Sequence, residues 1–200
     1  MGATTRVYLV RHGKVENPRK IVYGRLAGWT LSEEGRRQAH DAAQRLAAEG
    51  VSAVYTSPLE RAVQTAELIA RACGAPLRIR EDLTEAALCA RWEGLLWRDV
   101  RLKRTREWLT YLRRPLEMRD VPETLSALAQ RMEAGVRALA DAHPGERIVA
   151  VSHGDPIRAA VLALTGRDLG GLHGLRVPTG WIVTLDVRPE GAELVEHGVP

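Results

Sequence analysis

The chain has 200 residues, of which 45% are hydrophobic and 27% are charged, and its formal net charge is +4. The charged fraction argues against disorder, and no apolar run approaches the roughly 20 residues of a transmembrane helix. Two cysteines are too few for a disulfide framework or a zinc site, and the sequence start lacks a leader-like segment, so we expect a cytoplasmic protein without membrane partners.

Short apolar runs alternate with longer amphipathic segments along the chain. The apolar runs predict strands at residues 6–10, 51–56, 77–79 and 147–152, and a closing hairpin at 181–187 and 192–196. The amphipathic segments predict helices at residues 32–48, 59–73, 98–112, 122–142 and 156–165. This alternation predicts one α/β domain over residues 1–200. The domain is expected to have three layers, with a mostly parallel central sheet between two layers of helices.

Two of the predicted helices carry boundary signals. Ser32 is a candidate N-cap for the first helix, and Gly50 is a candidate C-cap just past its end. Pro58 opens the second helix and Gly74 closes it. Both helices are therefore expected to end at a glycine.

Chemically active residues follow three of the predicted strands. In open α/β sheets, ligands bind at the carboxyl ends of the strands. The residues at these positions are Arg11, His12 and Gly13 after the first strand, Arg61 beyond the second, and His153 and Gly154 after the strand at 147–152. Their shared placement predicts that they meet at one edge of the sheet.

Two arginines and two histidines together suit phosphoryl transfer. Guanidinium groups match the geometry of phosphate oxygens, and a neutral imidazole can attack a phosphoryl group to give a phosphohistidine. A second imidazole can donate to the phosphoryl oxygens, and a glycine after each histidine lets a phosphate approach the backbone. A carboxylic acid must still protonate the leaving oxygen. The residue types therefore predict a phosphoryl-transfer site without an obvious metal.

Five sequence blocks resemble those of the histidine phosphatase superfamily, which is also called phosphoglycerate mutase-like. The blocks occur in the family's order, and the resemblance runs from the first strand to the last. They are residues 9–13 (LVRHG), 31–39 (LSEEGRRQA), 57–66 (SPLERAVQTA), 83–85 with 92–94 (LTE and WEG), and 151–154 (VSHG). The resemblance implies the phosphoglycerate mutase-like fold and a reaction that needs no metal or organic cofactor.

The resemblance also implies roles for particular residues. His12 is the nucleophile that becomes phosphorylated, and Glu85 is the general acid for the leaving group and then the general base. Arg11, Arg61 and His153 complete the catalytic set. The implied substrate-binding residues are Arg11, Gly13, Asn17, Arg61, His153 and Gly154.

Glu85 has rivals for the role of the acid. Glu81, Asp82 and Glu93 are nearby carboxylates that could be ordinary surface charges. Asp155 is a further rival, because another branch of the superfamily uses an Asp directly after its second histidine. A glycine intervenes here, so the LTE match favours Glu85, and Asp155 is interpreted as part of a helix start.

Three segments depart from the family pattern. Residues 121–124 lack the glycines of a common Gly-Gly-Glu-Ser stretch, and residues 178–180 lack a frequent Asn. Gly28 or Trp29 replaces an Asp that follows the signature block. All three segments lie where recognition of the leaving group could change, so the identity of the substrate stays open.

Residues 98–120 are strongly basic, with eight basic and four acidic side chains. Their excess of four positive charges equals the net charge of the whole chain. One interpretation is a solvated helix face; the other is a cap-like segment, around residues 95–122, that attracts a phosphorylated substrate. No nucleic-acid-binding module is evident, so no nucleic-acid partner is predicted.

Three functional hypotheses follow. The first is a metal-independent phosphomonoester hydrolase that acts on a small phosphorylated metabolite through a phosphohistidine. The alternative is a cofactor-dependent phosphoglycerate mutase, and a remote third is a non-catalytic phospho-ligand binder. The shortness of the chain favours the hydrolase, because the family's mutases typically carry an insertion that closes over the site and excludes water. The oligomeric state stays open, a homodimer included.

Overall fold

A computed structural model describes residues 3–198 of the protein. Within that range, six strands form one sheet: β1 (Thr5–Arg11), β2 (Ala53–Thr56), β3 (Leu77–Ile79), β4 (Arg147–Ser152), β5 (Ile182–Arg188) and β6 (Gly191–His197). Their spatial order is β3-β2-β4-β1-β5-β6. The pairs β1–β4, β2–β4 and β2–β3 are parallel, whereas β1–β5 and β5–β6 are antiparallel. The predicted mostly parallel sheet and the closing hairpin are confirmed.

Helices cover both faces of the sheet. They are α1 (Glu33–Ala47), α2 (Glu60–Cys73), α3 (Trp97–Lys103), α4 (Thr105–Arg113), α5 (Leu125–Asp141) and α6 (Gly154–Leu164). Short 3-10 helices occur at Glu81–Leu83, Ala90–Trp92, Pro115–Glu117 and Leu169–Gly174. Within residues 3–198, no helix combines the length and apolar character needed to cross a membrane.

Alternate residues of β1 show the three layers. Tyr8 and Val10 pack with buried residues of α1 and α2 on one face, and Val7 and Leu9 pack with those of α5 and α6 on the other. Because both faces are covered, a central strand such as β4 has a continuous buried run from Ile148 to Ser152. This is why the parallel strands were visible in the sequence as unbroken apolar segments.

The single helix predicted for residues 98–112 is wrong, because the structure divides it into α3 and α4. Arg104 interrupts the helical backbone with φ of −126° and ψ of 37°. The break brings Trp97 of α3 and Trp108 of α4 against the buried Trp92, with ring centroids 6.4 and 6.0 Å from it. Tertiary packing of the aromatic rings therefore overrides the continuous helical pattern.

Three other helix boundaries differ from the prediction. The prediction that Gly50 caps α1 is wrong: α1 ends earlier, and Ala48 is its C-cap in the right-handed helical region. The helix predicted from residue 122 begins instead at Leu125. Thr124 is the N-cap of this helix, because its side chain accepts a hydrogen bond from the Ala127 N–H group at 3.2 Å. The last helix begins two residues earlier than predicted, at Gly154.

Candidate active site

The two predicted site histidines meet at the carboxyl ends of β1 and β4. These strands are parallel neighbours, so the residues that follow them emerge side by side. The backbone N–H of His12 donates to the Ser152 carbonyl at 3.0 Å. The imidazole centroids of His12 and His153 are 5.0 Å apart, and both residues are fully buried. The topology therefore assembles a paired-histidine site from residues 141 positions apart in sequence.

Hydrogen bonding determines which nitrogen of His12 carries the proton. Nδ1 lies 2.7 Å from the Gly13 carbonyl, which can only accept, so Nδ1 carries the hydrogen. Nε2 is then unprotonated, and the Arg61 Nε–H group donates to it at 3.3 Å. Burial, followed by the charges of Arg61 and Arg11, holds the pKa of His12 well below its usual range. His12 is therefore a neutral imidazole with an unprotonated Nε2, whose lone pair accepts the long hydrogen bond from Arg61.

Arg61 lies in the first turn of α2, directly beyond β2. Its side chain is almost fully buried, and its Nη2 donates to the Gly24 carbonyl at 2.6 Å. The guanidinium carbon lies 4.8 Å from the centre of the Tyr23 ring. Burial lowers the pKa of Arg61, but a guanidinium remains protonated in proteins. This arrangement fixes a positive charge beside Nε2 of His12.

Arg11, the last residue of β1, supplies a second positive charge. One terminal nitrogen, Nη1, donates to the Val177 carbonyl at 2.6 Å. Its Nε is buried and has no hydrogen-bond partner among residues 3–198. The guanidinium passes so close to Gly154 that a Cβ there would lie 3.1 Å from the Arg11 Cζ. A buried donor without a partner is uncommon, and a role for Arg11 in binding an anionic ligand stays a prediction.

His153 also has a buried nitrogen without a hydrogen-bond partner. Its Nε2 lies 2.8 Å from the Ser57 Oγ, whereas Nδ1 has no hydrogen-bond partner in the described part of the chain. Nδ1 is 3.8 Å from Oε2 of Glu85. Burial, followed by the charges of His12, Arg61 and Arg11, lowers the pKa of His153 well below its ordinary value. The second imidazole is therefore neutral and faces the predicted acid.

Glu85 lies just after the 3-10 helix at Glu81–Leu83, and its side chain is 18% exposed. Its Oε1 accepts the Ala86 N–H bond at 2.8 Å. Burial and the charge of Asp155 raise the pKa of Glu85 to about 7, against the opposing effect of Arg61. A carboxyl group with this pKa can exchange a proton near neutral pH, as general acid–base catalysis requires.

The other carboxylates of this region are exposed or already bonded. Glu81 is exposed. Asp82 forms an ion pair with Arg80, and the Oε1 of Glu93 accepts the backbone N–H bond of Arg25 at 2.7 Å. Glu85, whose Oε2 lies 3.8 Å from His153 Nδ1, therefore remains a better candidate for the acid than these three carboxylates.

Gly13 and Asn17, two predicted substrate-binding residues, have structural contacts. A Cβ on Gly13 would lie 2.2 Å from the Gly35 carbonyl oxygen, so this close approach requires glycine. The Gly13 N–H group already donates to Thr65 Oγ1 at 3.1 Å. The side-chain amide of Asn17 donates a hydrogen bond to the Ile21 carbonyl at 2.8 Å and accepts one from the Ile21 N–H group at 2.9 Å. These contacts shape the loop beside the site, and a direct role in substrate binding stays a prediction.

The structure adds a support network that the sequence did not reveal. Glu123 accepts from Arg25 Nη2 at 2.9 Å, Arg131 Nε at 2.7 Å and the Ala87 N–H at 3.0 Å. Arg131 also donates to the Thr84 carbonyl at 3.1 Å. Glu123 belongs to the segment in which the family's glycines are lost, and the network holds the loop on both sides of the candidate acid.

We predict that Glu123→Ala lowers the free energy of unfolding by about 3 kcal/mol, because it removes the acceptor of Arg131 Nε and Nη2 and of the Ala87 N–H group. Urea unfolding followed by circular dichroism measures the change. Glu133→Ala is the matched control, because Glu133 pairs with Arg137 in a more exposed position on α5 and should cost less than about 1 kcal/mol. Equal losses for both variants would contradict the supporting role of Glu123.

A pocket of about 240 Å³ opens beside these groups. Its wall combines charged groups with apolar and aromatic side chains, which suits a small polar ligand. The lining residues are Arg11, Val22, Tyr23, Gly24, Glu85, Ala86, Cys89, Trp97, Tyr111, Gly154, Asp155 and Arg158. Within residues 3–198, no group of three or more His, Cys, Asp or Glu side chains is arranged to hold a metal ion.

The basic segment at residues 98–120 contributes to this wall through Tyr111, and the adjacent Trp97 belongs to the same cap-like region. None of the segment's basic side chains is among the residues that line the pocket. Three of them form ion pairs inside the segment: Lys103 with Asp99, Arg104 with Glu107 and Arg114 with Glu117. The structure therefore favours a solvated basic face over direct phosphate contacts, and a longer-range electrostatic effect stays a prediction.

The family comparison agrees with this geometry. The model of the histidine phosphatase superfamily, branch 1, matches residues 7–200. The chain belongs to the histidine phosphatase superfamily. It is accordingly an enzyme of the phosphatase and phosphoglycerate mutase type, and the fold and family predicted from the five sequence blocks are confirmed.

Relatives of this histidine phosphatase carry names of both reaction types. It is 33% identical to the metal-independent phosphoserine phosphatase of Arabidopsis thaliana over 84% of this chain and 71% of that protein. It is 32% identical to a Cronobacter sakazakii protein named a probable phosphoglycerate mutase, over 80% of this chain and 75% of that protein. The solved structure of Bacillus stearothermophilus YhfR matches with a TM-score of 0.87 and 26% identity, over 96% and 95% of the two chains.

Proposed function

We propose that this histidine phosphatase hydrolyses small phosphomonoesters through a phosphohistidine at His12, without a metal ion. The observation that carries the proposal is the buried, neutral imidazole of His12, whose unprotonated Nε2 faces the Arg61 guanidinium at 3.3 Å. A neutral, unprotonated imidazole nitrogen is a nucleophile once the Arg61 guanidinium turns to the phosphoryl oxygens, and that positive charge attracts the phosphoryl group.

In the first step, Nε2 of His12 forms a bond to phosphorus as the bond to the leaving oxygen breaks. Glu85 gives its proton to that oxygen, so the alcohol leaves in the neutral form. The guanidinium groups of Arg11 and Arg61 bind the phosphoryl oxygens, and His153 donates to them through Nδ1 when that nitrogen carries the hydrogen. The partnerless Nε of Arg11 and Nδ1 of His153 then gain acceptors.

In the second step, water attacks phosphorus and the bond to His12 breaks. Glu85, now a carboxylate, takes a proton from the water, and inorganic phosphate is released. The enzyme thereby regains both its neutral imidazole and its protonated acid. The pKa of about 7 for Glu85 supports this exchange of roles, because the carboxyl can lose and regain a proton near neutral pH.

The mutase is the second candidate, because one curated relative carries that name. The two reactions share the first step and differ in the acceptor, which is water for the hydrolase and a second hydroxyl for the mutase. The non-catalytic binder is less well supported, because a binder has no need of a carboxyl group whose pKa lies near 7 beside two neutral imidazoles.

The test measures phosphate release from p-nitrophenyl phosphate and from 3-phosphoglycerate after dialysis against a metal chelator. We expect release of phosphate that the chelator leaves unchanged, and slower formation of 2-phosphoglycerate even with added bisphosphoglycerate. Isomer formation that exceeds phosphate release would replace the hydrolase with the mutase. Activity lost to the chelator and restored by a metal would contradict the metal-free mechanism.

A further inference from the structure

Asp155 is a carboxylate in the pocket wall that the two chemical steps leave unused. It lies in the first turn of α6, and its side chain is 12% exposed. Its Oδ2 accepts a hydrogen bond from the Tyr111 hydroxyl at 2.7 Å, and its Oδ1 accepts one from Arg158 Nη1 at 2.8 Å. A carboxylate this well buried is unusual unless it is paired or binds a ligand.

The partners of Asp155 are themselves fixed. Arg158 donates its Nε–H bond to the Leu175 carbonyl at 2.8 Å. His173 packs against Tyr111 with ring centroids 4.4 Å apart, and its Nε2 lies 2.9 Å from the Tyr111 carbonyl oxygen. Because α4, α6 and the segment at residues 169–175 hold these groups, the orientation of the Asp155 carboxylate in the pocket wall is fixed.

The charges of the pocket divide into two sets. In the proposed reaction, the phosphate group of a substrate takes the guanidinium groups of Arg11 and Arg61, and Glu85 acts as the acid. Of the charged side chains that line the pocket, this leaves the ion pair of Asp155 and Arg158. Each oxygen of Asp155 accepts one bond from the protein, and a carboxylate oxygen can accept two. Asp155 therefore has acceptor capacity left for a donor on the substrate, and a charged donor forms the strongest such bond.

We propose that Asp155 is a specificity-determining residue that binds an ammonium group on the leaving alcohol, so that the preferred substrates are phosphorylated amino alcohols. This inference rests on the proposed hydrolase function and adds the class of its substrate. The apolar side chains of Val22, Ala86 and Trp97 in the same wall strengthen the attraction, because they exclude water from the charge pair. A hydroxyl in place of the ammonium gains only an ordinary hydrogen bond.

The test uses two substrates that differ in one group, O-phosphoethanolamine and 2-hydroxyethyl phosphate. We expect the wild-type enzyme to favour the ammonium compound by about ten- to hundredfold in kcat/KM. Asp155→Asn keeps the shape of the side chain but removes its charge, so the preference should fall at least about tenfold, mainly through slower turnover of phosphoethanolamine. Asp41→Asn makes the same change on the exposed face of α1 and should keep the preference.

Each outcome of this test decides the proposal. A wild-type enzyme that releases phosphate equally from both compounds overturns the inference and leaves the proposed hydrolase intact. A preference that survives Asp155→Asn also overturns it, as does a preference that survives Asp155→Ser, the variant to use if the asparagine protein does not fold. Absence of phosphate release from these compounds and from p-nitrophenyl phosphate would overturn the proposed function and the inference together.

Discussion

Replacing His12 by asparagine is expected to lower kcat for phosphate release by about a thousandfold or more, the usual scale for loss of a nucleophile. His12 is fully buried, and its unprotonated Nε2, which accepts a hydrogen bond from Arg61, is the atom that we expect to attack phosphorus. Asparagine is smaller than histidine and has no nucleophilic nitrogen, whereas the two arginines that bind phosphate remain. Steady-state phosphate release from p-nitrophenyl phosphate measures the effect.

A second measurement tests the covalent step directly. Wild-type protein quenched during turnover of a radiolabelled phosphomonoester should carry a phosphoryl group that is labile in acid and stable in base, and the His12→Asn protein should not. His40→Asn makes the same substitution on exposed α1 and should retain both activity and label. Label that persists without His12 would assign the nucleophile to another residue.

The sheet and the histidine site were readable from sequence for a common physical reason. Strands buried on both faces appear as continuous apolar runs, as residues 147–152 do. Ligands of such sheets bind at the strands' carboxyl ends, so the side chains that follow β1 and β4 were expected to meet before their pairing was known. The observed neighbours His12 and His153 agree with that expectation.

The wall of the pocket was not readable in the same way. Tyr111 and Asp155 form a hydrogen bond across 44 positions of sequence, and no motif connects a helix near the middle of the chain with α6. The sequence offers Asp155 as a rival acid but favours its interpretation as part of a helix start, and Asp155 does lie in the first turn of α6. That position accounts for its contact with Arg158 on the same helix but not for its hydrogen bond with Tyr111. Side chains that select a leaving group are brought together by tertiary packing, so local patterns do not report them.

The region between residues 95 and 125 shows a second limit. Its amphipathic pattern predicted one helix, but the packing of Trp97 and Trp108 around Trp92 requires a break at Arg104. The role of Glu123 is hidden for a related reason, since it depends on contacts with distant segments of the chain. In both cases the deciding interactions are long-range, and periodicity describes only the local preference.

Replacing Glu85 by glutamine is expected to lower kcat/KM for alkyl phosphates by about a hundred- to ten-thousandfold, the usual contribution of a general acid. Glutamine keeps the size of the side chain but has no acidic proton for the leaving alkoxide. The loss should be much smaller with 2,4-dinitrophenyl phosphate, because its phenolate leaves without protonation. A uniform loss for both substrates would show that Glu85 binds or orients substrate and is not the acid.

The pH dependence of rate and stability separates the loss of the acid from damage to the fold. The pKa of Glu85 is raised to about 7, so its protonated form is lost, and the wild-type kcat/KM for alkyl phosphates should fall, as the pH rises through about 7. Glu85→Gln should lack this decline.

Stability should change in the opposite sense. A carboxyl whose pKa is higher in the folded protein favours folding while it is protonated; for Glu85 that contribution is complete below its ordinary pKa of about 4.5 and is lost as the pH rises from there through about 7. Glu85→Gln should therefore melt at a higher temperature than wild type above about pH 7, even though its activity is lower. Melting temperatures of both proteins, measured across the same pH range as the rates, test this prediction. A Glu85→Gln protein that is less stable than wild type at every pH would contradict the assignment of Glu85 as a buried carboxyl with a raised pKa.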